Sequence, residues 1–95
     1  MFSIIEQIIA NHFGISQEEL LRERTRPASD GRHFLWYVLH CIMGYRSKTV
    51  ARAYHISPRN VLLYSAIVRD GIKNQPFYAN HFRQIQADLR MLDII

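Results

Sequence analysis

The stretch TVARAYHISPRNVLLYSAIVRDG, residues 49–71, decides the fold. Its first six residues predict a short helix that Ser47 caps. Ser57-Pro58 then gives a strong start signal for a second helix, because a serine side chain caps the first backbone N–H groups and proline fits the first helical position. Apolar residues at helical spacing carry this second helix to about Asp70 and Gly71. The stretch therefore predicts two short helices joined by a tight turn.

These two helices fit a helix-turn-helix over about residues 48–70. Small Ala51 lets the helices cross closely, and Val61, four positions after the cap, packs the second helix against the first. The N-terminal end of the second helix is then free to enter the major groove of DNA, where Arg59 can bind guanine and Asn60 can bind adenine. The residues predicted to lie near bases or phosphates are Ser57, Arg59, Asn60, Leu63 and Tyr64. A plain helical hairpin is the alternative that the pattern alone leaves open.

Two short helices are predicted at the start of the chain. The sequence Ser-Ile-Ile-Glu at residues 3–6 is a capping box for a helix from about residue 4 to residue 13, and Gly14 follows as its end. The sequence Ser-Gln-Glu-Glu at residues 16–19 is a second capping box. Leu20 and Leu21 supply the apolar side of the short helix behind it.

A polar loop and two longer helices complete the prediction. Residues 22–31 are expected to form an exposed loop rich in arginine, after which Ser29 or Asp30 caps a helix that runs through Met43 and ends at Gly44. Pro76 breaks the chain again, and a last amphipathic helix begins at about Asn80. Its predicted apolar stripe consists of Phe82, Ile85, Leu89 and Leu92. Since no segment alternates with the period of a strand, we expect an all-α fold of five to six helices in one domain, residues 1–95.

The composition limits the class of protein. Ninety-five residues allow one hydrophobic core, and 48% hydrophobic with 21% charged residues is typical of a folded globular chain. Cys41 is the only cysteine, so no internal disulfide is possible and a cytoplasmic location is expected. The N-terminus has no basic segment and no apolar run is long enough to cross a bilayer, so we expect neither secretion nor a membrane span.

Positive charge is concentrated in the middle of the chain. The whole sequence has 12 Lys and Arg against 8 Asp and Glu, a net charge of +4. Residues 22–59 alone hold eight cations and two acids, a net charge of +6, so the remainder carries −2. This distribution suits a surface that binds the phosphate backbone of a nucleic acid, although a solvated basic surface has the same composition.

No enzymatic activity, metal or cofactor is expected. His33, His40 and Cys41 would have to converge with a further ligand to hold a metal ion, and Cys41 is expected to be a small buried apolar group instead. No nucleophile motif accompanies these residues, and a helical domain of this size offers little pocket for a substrate.

The chain as a whole resembles the C-terminal DNA-binding domain of the bacterial replication initiator DnaA, a helix-turn-helix domain of the Trp-repressor-like type. The resemblance rests on IIANHFGISQEELL at residues 8–21, RERTR at residues 22–26, a long helix that opens with DGRH at residues 30–33, and the helix-turn-helix. Two features depart from the family. SPRNV at residues 57–61 replaces its Gly-Arg-Asp-His-[Ser/Thr]-Thr-Val motif, and no Gly-x-x-x-x-Gly-Lys-[Ser/Thr] segment is present to bind and hydrolyse a nucleotide.

The resemblance implies sequence-specific binding of duplex DNA in replication initiation. By this resemblance Arg24 would lie in the minor-groove loop, and Arg32 and His33 would touch phosphate or base edges. In the complete hypothesis Arg24 and Arg26 bind the phosphate backbone or the minor groove. Phosphates would also be held by Arg32, His33 and Lys48. The second hypothesis is a protein-interaction or regulatory module that kept the fold and lost sequence-specific DNA binding. Its partner, a second copy of the chain or a replication protein, would dock on the apolar C-terminal helix.

Overall fold

The structure, a computed structural model, describes residues 2–95 and contains helices and no strand in that part of the chain. The all-α prediction is confirmed. A five-residue π-helical turn, Val38–Ile42, continues the third helix. The six α-helices are α1 (Ser3–Phe13), α2 (Gln17–Arg22), α3 (Arg26–Tyr37), α4 (Ser47–Tyr54), α5 (Pro58–Asn74) and α6 (Pro76–Met91).

Four of the expected helix boundaries are present. The Ser16 hydroxyl accepts a hydrogen bond from the Glu19 N–H at 3.0 Å, and the Glu19 carboxylate accepts one from the Ser16 N–H at 3.1 Å, which completes the capping box of α2. The Ser57 hydroxyl caps α5 by accepting from the Arg59 N–H at 3.2 Å. Gly14 follows α1 with a φ of 71°, and Gly44 follows the π-helical turn with a φ of 82°. Both glycines adopt the left-handed conformation that ends helices.

Two of the expected N-terminal caps are wrong by one residue. Ser3 is already the first residue of α1, with Phe2 in the cap position, and its hydroxyl accepts from the Gln17 side chain at 3.0 Å. Phe2 is buried between Tyr45 and Tyr54, and this packing sets where the helix starts. Ser47 is likewise the first residue of α4, because the Arg46 carbonyl accepts the first hydrogen bonds of that helix.

The expected loop over residues 22–31 is also wrong, because α3 begins at Arg26. Thr25 is its N-cap, with the hydroxyl accepting from the Ala28 N–H at 3.4 Å, and proline follows in the first turn. Thr25-Arg26-Pro27 thus gives the same start signal as Ser57-Pro58, although its polar composition resembles a loop. Asp30 lies inside the helix and pairs with Arg26 at 3.7 Å. Only residues 23–25 connect α2 to α3.

The end of α5 and the start of α6 differ from the prediction as well. Gly71 does not end α5, which continues to Asn74, and α6 begins at Pro76 instead of Asn80. Gly71 is buried beneath the ring of Tyr78, and a Cβ atom there would overlap that ring. The glycine therefore allows α5 and α6 to approach closely and does not mark a turn. The break at Gln75-Pro76 is confirmed.

Helix α3 lies at the centre of the fold, with α1, α2 and α5 packed around it. Helix α6 packs on α1 and α5, and α4 packs on α5 and the π-helical turn. Ala51 and Val61 are both buried in the core, and α4 packs against α5. The largest fully buried side chains are Phe34, Ile9, Leu20, Leu35, Leu39, Ile85 and Leu89. In residues 2–95, no helix combines the length and the apolar character needed to traverse a membrane.

Candidate nucleic-acid interface

A sharp turn of three residues connects α4 to α5. His55 ends α4 with a φ of 56°, and its N–H bonds to the Ala51 carbonyl. The Ile56 N–H reaches the same carbonyl at 3.0 Å, and Ser57 then caps α5. His55 therefore adopts the left-handed conformation that glycine supplies in many such turns. The chain reverses within residues 55–57 and leaves the first turn of α5 at the surface.

A buried carboxylate anchors α4 to the rest of the fold. Glu6 of α1 is only 8% exposed and accepts from the Tyr54 hydroxyl at 2.5 Å and from the Gln17 amide at 2.8 Å. Burial, together with this hydrogen bond to Glu6, raises the pKa of Tyr54 far above its usual range. One carboxylate thus joins α1, α2 and α4. No local sequence pattern indicates this network, because Glu6 matches a capping-box position equally well.

Apart from Ser57, six of the ten predicted site residues are exposed to solvent. They are Arg24, Arg26, Lys48, Arg59, Asn60 and Leu63. Ser57 is also exposed, but its hydroxyl is engaged as the cap of α5. Leu62 and Leu63 are 50% and 51% exposed, and Ile67, one turn later, is 41% exposed. The outer face of α5 is therefore basic and polar at its start and apolar in its middle.

Arg32 is bound to the backbone. Its Nη1 donates to the carbonyl of Leu20 at 2.9 Å and to the carbonyl of Glu23 at 2.6 Å. These are carbonyls at the C-terminal end of α2, which lack partners within that helix. Burial lowers the pKa of Arg32, and the neighbouring charge of Arg24 acts in the same direction. Arg32 thus joins α3 to the end of α2 through hydrogen bonds, a role that the sequence did not suggest.

His33 and Tyr64 stack on each other between α3 and α5. Their ring centroids are 4.0 Å apart and their planes differ by 9°, with Trp36 beside both rings. Burial lowers the pKa of His33; the charge of Asp30 opposes this shift and the charge of Arg32 adds to it. The structure brings these two predicted residues together, and each ring covers one face of the other. Both are half-buried and contribute to packing.

The cations of the basic segment, residues 22–59, are largely exposed to solvent. Of its eight cations all except Arg32 are exposed. Arg22 pairs with Glu18 at 3.4 Å and Arg26 pairs with Asp30 at 3.7 Å, each one helical turn away. Exposed pairs of this kind are worth about 0.3–0.5 kcal/mol, so they leave the cations available to a stronger anion.

Two of the residues considered for a metal site, His33 and His40, have different partners. His33 stacks on Tyr64, whereas His40 donates from Nδ1 to the Tyr45 carbonyl at 2.8 Å. Cys41 is exposed, so the expectation that it is buried is wrong. It lies in the π-helical turn, Val38–Ile42. Within residues 2–95, no three His, Cys, Asp or Glu side chains are grouped as a metal site requires.

Comparison with protein-family models and with curated protein sequences gives no match for this chain. The resemblance to the DnaA C-terminal domain therefore stays a prediction from the sequence, as do the roles that it implies for individual residues.

Proposed function

We propose that this protein is a non-enzymatic domain that binds duplex DNA, with α4 and α5 as a helix-turn-helix and α5 as the recognition helix. The initiator resemblance is part of the proposal, and so are a role in DNA replication and the cytoplasmic location that such a role requires. The observation that supports it best is the first turn of α5, where Arg59 and Asn60 are exposed beside a sharp turn within a segment of net charge +6.

Base recognition is assigned to the start of α5. Arg59 carries a guanidinium that can donate two hydrogen bonds to guanine, and the Asn60 amide can both donate to and accept from adenine. Their backbone is held by the Ser57 cap and by Val61, which is fully buried. A rigid helix start improves recognition because less side-chain freedom is lost on binding. Leu63, one turn after Arg59, adds an apolar contact surface.

Backbone binding is assigned to Arg24, Arg26 and Lys48. Arg24 lies in the α2–α3 connection, Arg26 begins α3 and Lys48 lies in the first turn of α4. Cations on two elements can hold DNA strands on both sides of a helix that enters the groove. Arg32 stabilises the nearby backbone through its hydrogen bonds to the carbonyls of Leu20 and Glu23. His33 stabilises the first half of α5 by stacking on Tyr64.

A second candidate function rests on exposed apolar side chains. Leu62, Leu63 and Ile67 lie on α5, and Met91 and Leu92 at the end of α6 are 83% and 59% exposed. Of the predicted α6 stripe, Ile85 and Leu89 are buried in the core whereas Leu92 is not. Such a surface favours a protein-interaction module whose partner is a second copy or a replication protein.

Salt dependence separates the two functions. Fluorescence anisotropy is measured with a random duplex and with a duplex that carries the initiator's box sequence, each at low and near-physiological salt. Tighter binding to the box duplex at both salt concentrations would support base recognition. Equal binding to both that weakens steeply with salt would support backbone binding alone, because each neutralised phosphate releases counterions. Absence of binding at low salt would refute the DNA proposal and favour the interaction module.

A further inference from the structure

Two histidines that are far apart in the sequence meet between α1 and α6. Nε2 of His12 lies 2.7 Å from Nδ1 of His81, and the two rings are nearly perpendicular, with 86° between their planes. A contact this short between ring nitrogens is a hydrogen bond in which one ring donates its N–H and the other accepts. It is a direct polar link between the first and last helices of the fold.

The surroundings of the pair are mainly aromatic. The rings of Phe13, Phe34 and Phe77 have centroids 5.0, 6.0 and 4.6 Å from that of His81, so α1, α3 and α6 each contribute one wall. Asp88 of α6 is the charged group that acts on His12. Burial lowers the pKa of His12 and the charge of His81 lowers it further, while Asp88 opposes them.

The hydrogen bond limits how many protons the pair can hold. With no added proton one ring donates and the other accepts, and with one added proton the charged ring still donates to its neutral partner. With two added protons both nitrogens carry hydrogen and face each other as like charges, so the contact cannot survive. Acid strong enough to protonate both rings therefore removes this link.

We propose that His12 and His81 form an acid-sensitive latch that holds α6 on α1 while at least one ring is neutral and releases it when both are protonated. Release separates the start of α6 from α1 and opens the aromatic cluster around Phe34. The latch lies outside the α4–α5 pair, so it is independent of the DNA proposal.

Hydrogen exchange of the α6 amides at pH 7.5 and pH 5.0, corrected for the intrinsic effect of pH, tests the latch. In the unchanged protein the equilibrium constant for opening α6 should be higher at pH 5.0 than at pH 7.5, because opening lets both rings hold a proton without facing each other. The double variant His12→Phe/His81→Phe keeps aromatic rings in the cluster and should show no such rise. His81→Gln, which keeps a hydrogen-bonding amide, serves if the double variant does not fold and should also show no such rise.

His55→Asn is the matched control, because it removes an exposed histidine at a left-handed position that asparagine tolerates. It should retain the full acid response of α6. An acid response that persists in the latch variants, or its absence from the unchanged protein, would overturn the proposal.

Discussion

Replacing Tyr54 with phenylalanine tests the anchor that holds α4 in place. The substitution keeps the ring on Phe2 but removes the hydroxyl that donates to Glu6, which is almost completely buried. A hydrogen bond to a charged group contributes about 1.5–3 kcal/mol, and within residues 2–95 the carboxylate left behind keeps the Gln17 amide as its donor. We expect Tyr54→Phe to lower the free energy of unfolding by about 1.5–3 kcal/mol.

Urea denaturation followed by the fluorescence of Trp36, the only tryptophan, measures this change. Tyr45→Phe is the control, because Tyr45 also contacts Phe2 but is partly exposed; its effect should stay within about 0.5 kcal/mol. A Tyr54→Phe effect as small as that of the control would refute the anchoring role of Glu6.

The same hydroxyl gives a dependence on pH. The pKa of Tyr54 is raised in the folded protein, so above pH 10 the unfolded chain ionises at this residue while the folded chain does not. Its contribution to stability is complete below pH 10 and declines as the pH rises further. The stability of the unchanged protein should therefore fall more steeply between pH 10 and pH 11 than that of Tyr54→Phe. Equal slopes would contradict the burial of this hydroxyl.

Three further substitutions test the packing around the interface. Arg32→Ala should lower the free energy of unfolding by about 1–3 kcal/mol, because the carbonyls of Leu20 and Glu23 lose their donor, and an unchanged denaturation midpoint would contradict this. Gly71→Ala should be destabilising by about 1–3 kcal/mol in spite of the better helix propensity of alanine, because the new Cβ overlaps the Tyr78 ring; a gain in thermal stability would show that α5 and α6 are less close. The lowered pKa of His33 makes its contribution to stability complete above pH 6.5 and lost in acid, so His33→Phe should reduce the loss of stability between pH 7 and pH 5, and an unchanged loss would count against the stacked, neutral ring.

The helix signals in the sequence were informative where they depended on local chemistry. Ser16 and Ser57 cap their helices because a hydroxyl and the next few backbone N–H groups suffice for that bond. The same reasoning failed for Ser3, since the burial of Phe2 in a distant part of the chain set the start of α1. Thr25-Arg26-Pro27 is an equally local signal for the start of a helix. The polar residues around it favour a loop, and for that reason the sequence prediction places a loop there.

The candidate site was predictable in its exposed part only. Arg59 and Asn60 follow from their position after the Ser57 cap, and the structure leaves both exposed. Arg32, His33 and Tyr64 have the same residue types as DNA-binding side chains, yet the first binds carbonyls and the other two stack. Which partner such side chains choose depends on the packing of α2 and α5 against α3, and no local pattern encodes that packing.

The most direct test of the DNA proposal compares two variants that lose the same charge. Arg24, Arg26 and Arg59 are changed to alanine in one, and Arg69, Arg83 and Arg90, which are exposed outside the basic segment, in the other. Duplex binding is measured by fluorescence anisotropy over a range of salt concentrations, with the helix content and melting temperature of both variants checked. We predict that the first variant loses most of its affinity and about two units of the salt slope, one for each of the backbone contacts of Arg24 and Arg26, whereas the second keeps a steep slope. Equal losses in both variants, or binding that survives in the first, would contradict the proposed interface.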